Sequence, residues 1–275
     1  MTEITPLVEH LFRHSAGQMV AALTRLLGPA RLDLAEEMVQ EALIKALKSW
    51  PYRGVPANPK AWLLQVARNR ALDVLRREGG LPVKLRLLGM DPTSPAAALP
   101  GQDEAELVAD DELAMIFMCC HPALSPLTRT TLTLKTVCGF SVDEIAAALL
   151  AQPSAVAQRI VRAKRQIETE AIPFAIPSSA ELTARRENVL AVLYLLFNEG
   201  YSAHTGEDLV RADLCAEAIR LGSMLADNPA TGGPPVDALL ALMHLQASRL
   251  PARVDGDGAL LLMDEQDRSR WDRGL

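Results

Sequence analysis

The sequence predicts an all-α fold: two small helical domains joined by a flexible linker, followed by a C-terminal helical extension. Three observations favour this class. Only 4% of the 275 residues are aromatic while 49% are hydrophobic, and Ala and Leu are abundant. Apolar residues recur at the spacing that puts them on one side of a helix. Capping residues and Pro or Gly breaks separate the periodic stretches.

The first two helices are predicted over residues 5–27 and 33–50. Each has Leu and Met residues at helical spacing, and a Gly-Pro pair separates the two. Asp33 and Glu36 have the spacing of an acidic capping box, so the second helix is expected to begin at Asp33.

A third helix is predicted over residues 59–77, after a loop at 51–57. Asn58 is a good N-cap residue, because its side chain accepts a hydrogen bond from a backbone N–H of the first turn. Pro59 fits the first helical position, where no backbone N–H is needed.

This third helix has a basic face. Between residues 68 and 77, four arginines stand against one aspartate, a local net charge of +3. Guanidinium groups bind phosphates, an amide can read a base edge, and an indole can stack on a base. An ordinary solvated face of a helical bundle is the alternative interpretation. The side chains in question are Trp62, Arg68, Asn69, Arg76 and Arg77.

Composition changes sharply over residues 79–110, where Gly, Pro and acidic residues are frequent. We expect residues 89–102 to be a flexible linker. After it, residues 111–170 are predicted to form a small helical domain that ends in a helix-turn-helix.

In this helix-turn-helix, Ser141 and Glu144 form a capping box for the first helix. Residues 151–153 form the turn, and Ser154 is expected to cap the last helix. Its apolar stripe is Val156, Ile160, Ala163 and Ile167. Polar side chains near the start of such a helix are placed to enter the major groove of DNA. The candidates are Ser154, Gln158, Arg159, Arg162, Lys164 and Arg165.

Two parts of the chain resemble bacterial RNA polymerase sigma factors of the extracytoplasmic-function type. The segments that resemble region 2 are residues 35–42, 52–54, 61–64 and 67–73. The segments that resemble region 4 are residues 141–146 and 156–165. The resemblance implies region 2 at 1–78, a linker at 79–110 and region 4 at 111–170.

The resemblance also implies roles for these residues. Region 2 would bind the −10 promoter element, with Tyr52 and Arg53 joining the basic face of the third helix. Region 4 would bind the −35 element. Glu37, Gln40 and Glu41 would dock on the clamp of the largest polymerase subunit. The implied partners are promoter DNA and the polymerase core, through its clamp and its flap. No enzymatic activity is expected.

Residues 171–275 are acidic, with a net charge of −6, whereas residues 1–78 carry +3. Residues 192–201 and 211–221 resemble the C-terminal extension of one sigma subgroup, which is built of tetratricopeptide-like helix pairs. Helices are predicted over 179–198, 206–226 and 236–248. We expect a regulatory extension that contacts its own sigma domains or another protein. Either its last helix is exposed or the extension is shortened.

Several other classes of site find little support. No run of about 18 apolar residues is present, so no membrane span is expected, and no secretion signal is visible. The chain is therefore expected in the cytoplasm. Cys119, Cys120, His121 and Cys138 invite a zinc interpretation, but their spacing fits no standard finger. Buried thiols are favoured instead, with no metal and no cofactor.

A second functional hypothesis is an autonomous regulator that binds DNA through the helix-turn-helix and senses a ligand with the C-terminal third. It leaves the acidic and basic helices of residues 33–77 without a role. No Ser/His/Asp arrangement or Gly-rich phosphate loop supports a hydrolase.

Overall fold

The computed structural model describes residues 4–79, 103–202, 210–256 and 259–275. In these ranges the chain forms ten α-helices and no β-strand, so the all-α prediction is confirmed. The predicted flexible linker at 89–102 lies outside the described residues. Within them, no helix is both long and apolar enough to cross a membrane.

The chain divides into two compact units. The first, called here the N-terminal unit, comprises Met1–Cys119, Lys135–Phe140 and Ile160–Ile176. The second, called the C-terminal unit, comprises Cys120–Leu134, Ser141–Arg159 and Pro177–Leu275.

Three consecutive helices form the first part of the N-terminal unit: α1 (Ile4–Leu27), α2 (Leu32–Arg53) and α3 (Pro59–Arg77). All three pack against one another. The start predicted for α2 is wrong. The helix begins directly after the 3₁₀ turn Pro29–Arg31, with Arg31 at its N-cap and no capping side chain, so Asp33 lies inside the first turn.

The end of α2 also differs from the prediction. The helix continues through Pro51 to Arg53, so Tyr52 and Arg53 lie on its last turn and not in a loop. Pro51 has no backbone N–H, so one helical hydrogen bond is absent at this position, and the proline ring is exposed to solvent. Gly54 ends the helix at φ 79°, a conformation that glycine adopts without strain.

Helix α3 has the bounds that its capping signals predict. The Asn58 side chain accepts a hydrogen bond of 3.0 Å from the Ala61 amide. One side of the helix is buried, at Leu63, Ala67, Ala71 and Leu75. Helix α4 (Asp103–Cys119) packs on α1 and begins inside the predicted linker 79–110.

The helix-turn-helix follows α5 (Pro126–Thr136) and consists of α6 (Val142–Ala148) and α7 (Pro153–Thr169). The predicted capping box is confirmed: the Ser141 hydroxyl accepts from the Glu144 amide at 3.1 Å, and the Ser141 amide donates to the Glu144 carboxylate at 2.8 Å. Ser154 does not cap α7, because the helix already begins at Pro153. The predicted stripe of α7, Val156, Ile160, Ala163 and Ile167, is buried.

The turn between α6 and α7 has the backbone of a Schellman motif. The Leu150 amide donates to the Ala147 carbonyl at 3.2 Å, and the Ala151 amide donates to the Ala146 carbonyl at 2.8 Å. Leu150 has a φ of 48°, in the left-handed region that glycine usually occupies. The turn therefore forms without a glycine, at the cost of local strain.

The C-terminal extension contains α8 (Ser179–Tyr201), α9 (Ala212–Asp227) and α10 (Pro234–Ala247). Three helices are thus found where three were predicted, although the predicted start at 206 lies outside the described residues. All three pack on one another. The four cysteines are buried free thiols, and burial raises the pKa of Cys120 to about 11 and that of Cys215 to about 12.

Candidate nucleic-acid interface

The basic face of α3 is open to solvent at its C-terminal end. Asn69, Arg76 and Arg77 are exposed, and Arg68 is half-buried. Asn69 accepts a hydrogen bond of 2.9 Å from Gln65. Arg76 pairs with Asp73 at 3.0 Å, in a side-chain pair one turn apart on the same helix. Exposed pairs of this kind are weak, so a phosphate can compete for the guanidinium.

Trp62 has a structural neighbour that the sequence did not reveal. Its ring lies 5.5 Å from that of Trp50, tilted by 59°. Trp50 is buried at the core side of α2, while Trp62 is half-buried. One side of the Trp62 indole is therefore used for packing between α2 and α3, and only its remaining surface can meet a base.

The end of α2 offers a more exposed aromatic ring. Tyr52 is 90% exposed, which is unusual for a large hydrophobic side chain. It borders an open groove of about 680 Å³ between α2 and α3. Along this groove cations outnumber acids, and the lining residues are Glu41, Ile44, Lys45, Lys48, Ser49, Tyr52, Arg53, Val66 and Arg70. Lys45 and Lys48 were not among the predicted site residues.

The three residues predicted to contact polymerase lie close together on α2. Glu37 and Gln40 are exposed, and Glu41 is half-buried. The Glu41 carboxylate accepts a hydrogen bond of 2.7 Å from Arg70 of α3. This hydrogen bond, with the charge of Glu41, raises the pKa of the Arg70 guanidinium. Glu41 thus links the acidic face of α2 to the basic face of α3.

Helix α7 presents most of its predicted residues on one exposed row. Ser154, Gln158, Arg162 and Arg165 follow at intervals of three or four residues, and all are exposed. Val161 on the same helix is 67% exposed and was missed. An apolar side chain beside such a row can contact a thymine methyl group. From the sequence, Val161 could have been recognised as an apolar residue that lies outside the predicted apolar stripe of α7.

The other two predicted residues of α7 have intramolecular partners. Arg159 is half-buried and donates to the Thr131 hydroxyl at 3.4 Å. Lys164 is held by Asp33 and Glu36 of α2, at 2.5 and 2.7 Å. Burial alone would lower the pKa of the Lys164 ammonium, but the two carboxylates outweigh it and raise the pKa above its usual value. Lys164 is therefore not part of the exposed row.

Residues of α8 and at the start of α9 form a hydrogen bond and an ion pair with α5 and α6. Arg129 of α5 donates to the carbonyls of His121 and Pro122 and to the side-chain oxygen of Asn188 on α8. Arg211, at the N-cap of α9, pairs with Glu144 at 3.2 Å. All of these residues lie in the C-terminal unit. In the part of the chain that the structure describes, no cluster of His, Cys, Asp and Glu has the makings of a metal site.

Three family models match the chain. Residues 11–80 match sigma-70 region 2, and residues 114–167 match sigma-70 region 4. Residues 185–275 match a family of unknown function (DUF6596). No solved structure was found to match the chain.

Curated relatives extend the comparison. An uncharacterized protein of Rhizobium meliloti (strain 1021) is 42% identical over 262 residues, which is 94% of this chain and 60% of that protein. The ECF RNA polymerase sigma factor SigG of Mycobacterium tuberculosis (strain ATCC 25618 / H37Rv) is 26% identical over 262 residues, 89% of this chain and 67% of that protein.

A further relative matches over a smaller share of the chain. The ECF RNA polymerase sigma-E factor of Haemophilus influenzae is 29% identical over 161 residues, 57% of this chain and 82% of that protein. The chain thus spans about three fifths of the length of the Rhizobium relative. The two matched regions of this chain follow one another in the order predicted from sequence, and the chain carries domains that match sigma-70 region 2 and sigma-70 region 4.

Proposed function

We propose that the protein is an RNA polymerase sigma factor that directs the core enzyme to promoters with −35 and −10 elements. It then starts transcription by opening the −10 region. The observation that carries the proposal is the exposed row of α7, which has two arginines and a glutamine on the second helix of a helix-turn-helix. A second cationic helix, α3, lies in the domain matched to region 2.

At the −10 element the protein must bind unstacked bases, since bases inside a duplex are not accessible one by one. Tyr52 offers the most exposed ring for stacking, and Trp62 offers its remaining surface. Arg68, Arg76 and Arg77 supply charge for the single-strand backbone. Asn69 has an amide at the surface that can bond to a base edge.

At the −35 element the exposed row of α7 enters the major groove. Arg162 and Arg165 bond to phosphates or to guanine, and Gln158 is placed to read a base. Ser154, at the first turn of α7, bonds to the DNA backbone. The arginines raise affinity for any sequence, whereas base contacts discriminate between sequences.

The polymerase core binds through its clamp to Glu37, Gln40 and Glu41 on α2, and through its flap to the region 4 domain. An acidic helix face suits a basic partner surface, and the charges steer the encounter. No chemical step is assigned to the protein itself.

The extension is proposed to be regulatory, with helix pairs of the tetratricopeptide type. Support for a link to region 4 comes from the Arg211–Glu144 ion pair and from the bond between Arg129 and Asn188. Support for helix pairing comes from the packing of α9 against both α8 and α10.

The test is promoter-directed transcription with purified core polymerase and the double variant Arg162→Ala, Arg165→Ala. Both side chains are exposed, so the fold is expected to remain intact. We expect loss of promoter-specific transcripts while co-purification with core polymerase persists. Arg270→Ala removes an exposed arginine outside both sigma regions and serves as the matched control. Full promoter output from the double variant would refute the role of α7.

A further inference from the structure

A cavity of about 400 Å³ lies in the C-terminal unit, between the C-terminal end of α10 and the chain that returns to it after residue 267. We call it the α10 cavity. Its volume falls within the range of small-molecule sites, about 300–1,000 Å³. None of its residues has a part in the contacts proposed for promoter DNA or polymerase. Among the lining residues are His244, Leu245, Ser248, Arg268, Trp271 and Arg273.

The returning chain is fixed against α10 by local hydrogen bonds. The Asp267 side chain accepts a hydrogen bond of 2.9 Å from the Ser269 amide and so caps the 3₁₀ turn Arg268–Arg270. The Asp272 amide then donates to the Ser248 carbonyl at 2.7 Å, which satisfies a carbonyl at the end of α10. Hydrogen-bonded backbone therefore holds the two walls of the α10 cavity together.

The charge in the α10 cavity is opposite to that of the surrounding extension. Residues 171–275 carry a net charge of −6, yet the cavity is lined by Arg268 and Arg273 against one acid, Asp272. Both arginines are exposed, and neither has an ion-pair partner among the described residues. The Asp272 carboxylate accepts a hydrogen bond of 2.8 Å from the Gly274 amide. The C-terminal end of a helix repels anions, so affinity for an anion here depends on the two arginines.

Trp271 gives the α10 cavity an aromatic wall and an indole N–H without an acceptor. The guanidinium carbons of Arg249 and Arg268 lie 5.6 and 5.7 Å from its ring centroid, and these cation–π contacts help to hold the ring in place. The indole nitrogen and Nδ1 of His244 are buried and have no hydrogen-bond partner in the part of the chain that the structure describes. Buried polar groups are seldom left unpaired. Because an indole N–H can only donate, the group that is missing at Trp271 is an acceptor.

We propose that the α10 cavity binds a small organic anion, namely a carboxylate or a phosphate ester with an aromatic or apolar body. Arg268 and Arg273 bond to the anionic group, since guanidinium N–H groups match the oxygens of carboxylates and phosphates. The body of the ligand packs on the Trp271 ring and on Leu245, which is 70% exposed. The covered indole N–H is reached when the side chains over it move. The extension thereby gains a small-molecule ligand, in addition to its proposed regulatory role.

The test is a titration of the full chain with phenyl phosphate and, separately, with benzoate. Calorimetry measures the affinity, and NMR locates the site through the indole N–H signals of the three tryptophans, of which Trp271→Phe identifies one. We expect a saturable shift of the Trp271 signal, while the signals of Trp50 and Trp62 stay in place. The tighter of the two probes shows which anionic group the cavity takes. Benzyl alcohol has the same ring without a charge and should bind about tenfold more weakly, or less.

The double variant Arg268→Ala, Arg273→Ala should weaken binding of the preferred anion about tenfold or more, as for loss of charge-assisted hydrogen bonds, and leave binding of benzyl alcohol unchanged. Arg270→Ala is the matched control, because it removes an exposed arginine of the same 3₁₀ turn that does not line the cavity. Its affinity for the anion should equal that of the parent. All three arginines are exposed, so the fold is expected to persist, and circular dichroism checks it.

Three outcomes would overturn the proposal. The first is the absence of a saturable shift of the Trp271 signal with either anion at millimolar concentration. The second is equal binding of benzyl alcohol or unchanged affinity in the double arginine variant, which would make the cavity an apolar cleft without preference for anions. The third is tighter binding of a hexaglutamate peptide than of either aromatic anion, which would assign the surface to an acidic protein segment. Neither polymerase nor DNA is present, so the result does not depend on the proposed function.

Discussion

Leu150 occupies a glycine position in the turn of the helix-turn-helix, and its replacement by glycine is expected to stabilise the protein. Its φ of 48° lies in the left-handed region. This conformation costs a residue with a Cβ atom about 1–2 kcal/mol. The Leu150 side chain is 78% exposed, so its removal sacrifices little buried apolar surface.

The gain is reduced by the greater freedom of glycine in the unfolded chain, about 0.5–1 kcal/mol relative to alanine. The net stabilisation for Leu150→Gly is therefore about 0.5–1 kcal/mol. For a chain of this size, such a change raises the melting temperature by about 1–4 °C. Leu150→Ala is the matched control, because it truncates the side chain and retains the cost of the positive φ.

The assay is urea unfolding of the wild type and both variants, followed by circular dichroism. The difference between the glycine and alanine variants isolates the backbone effect. Ala171, just after the end of α7, has the same φ of 48°, and the Ile172 amide donates to the Ile167 carbonyl at 3.0 Å. Ala171→Gly is thus expected to stabilise by a similar amount. If Leu150→Gly is less stable than Leu150→Ala, the reasoning from backbone strain is wrong.

Three further changes test other parts of the structure. Burial raises the pKa of Asp111 to about 6 from its usual 3.8, against the opposing charge of Arg25. A carboxyl with a raised folded pKa stabilises the fold when protonated, so up to about 3 kcal/mol is lost as pH rises through 3.8 to 6. Asp111→Asn should remove this loss, as seen in unfolding free energies measured at several pH values; an unchanged pH profile would contradict the assignment. Asn58→Ala removes the cap of α3 and should cost about 1 kcal/mol in urea unfolding, whereas Asn58→Ser should cost little. Glu37→Lys should weaken co-purification with core polymerase, while Glu187→Lys should not; equal recovery of both would argue against docking on α2.

Helix α3 could be predicted from sequence because its signals are local. Asn58 and Pro59 mark its start, and its buried stripe follows within the same 19 residues. The predicted apolar stripe of α7 is also confirmed, because its signal too lies within one helix. The expected cap at Ser154 was wrong because Pro153 already takes the first helical position.

The surroundings of the charged residues could not be predicted in this way. Lys164 and Glu36 are 128 residues apart in the chain, so no local pattern connects them. Trp62 of α3 packs on Trp50 of α2, a contact between two helices that the pattern within either helix does not show. A periodic pattern tells which side of a helix is polar. It does not tell which of those polar side chains another helix will cover.

The bonds of Arg129 and Glu144 to the extension also bear on how the protein can be dissected. Residues 120–134 and 141–159 share one compact unit with residues 177–275. Arg185 of α8 is 3% exposed, within that shared core. A chain cut after Glu170 would remove Asn188 and Arg211, the partners of Arg129 and Glu144 in the extension, and open the core beside them. Lost activity in such a fragment would report damage to the helix-turn-helix as readily as the absence of a regulator.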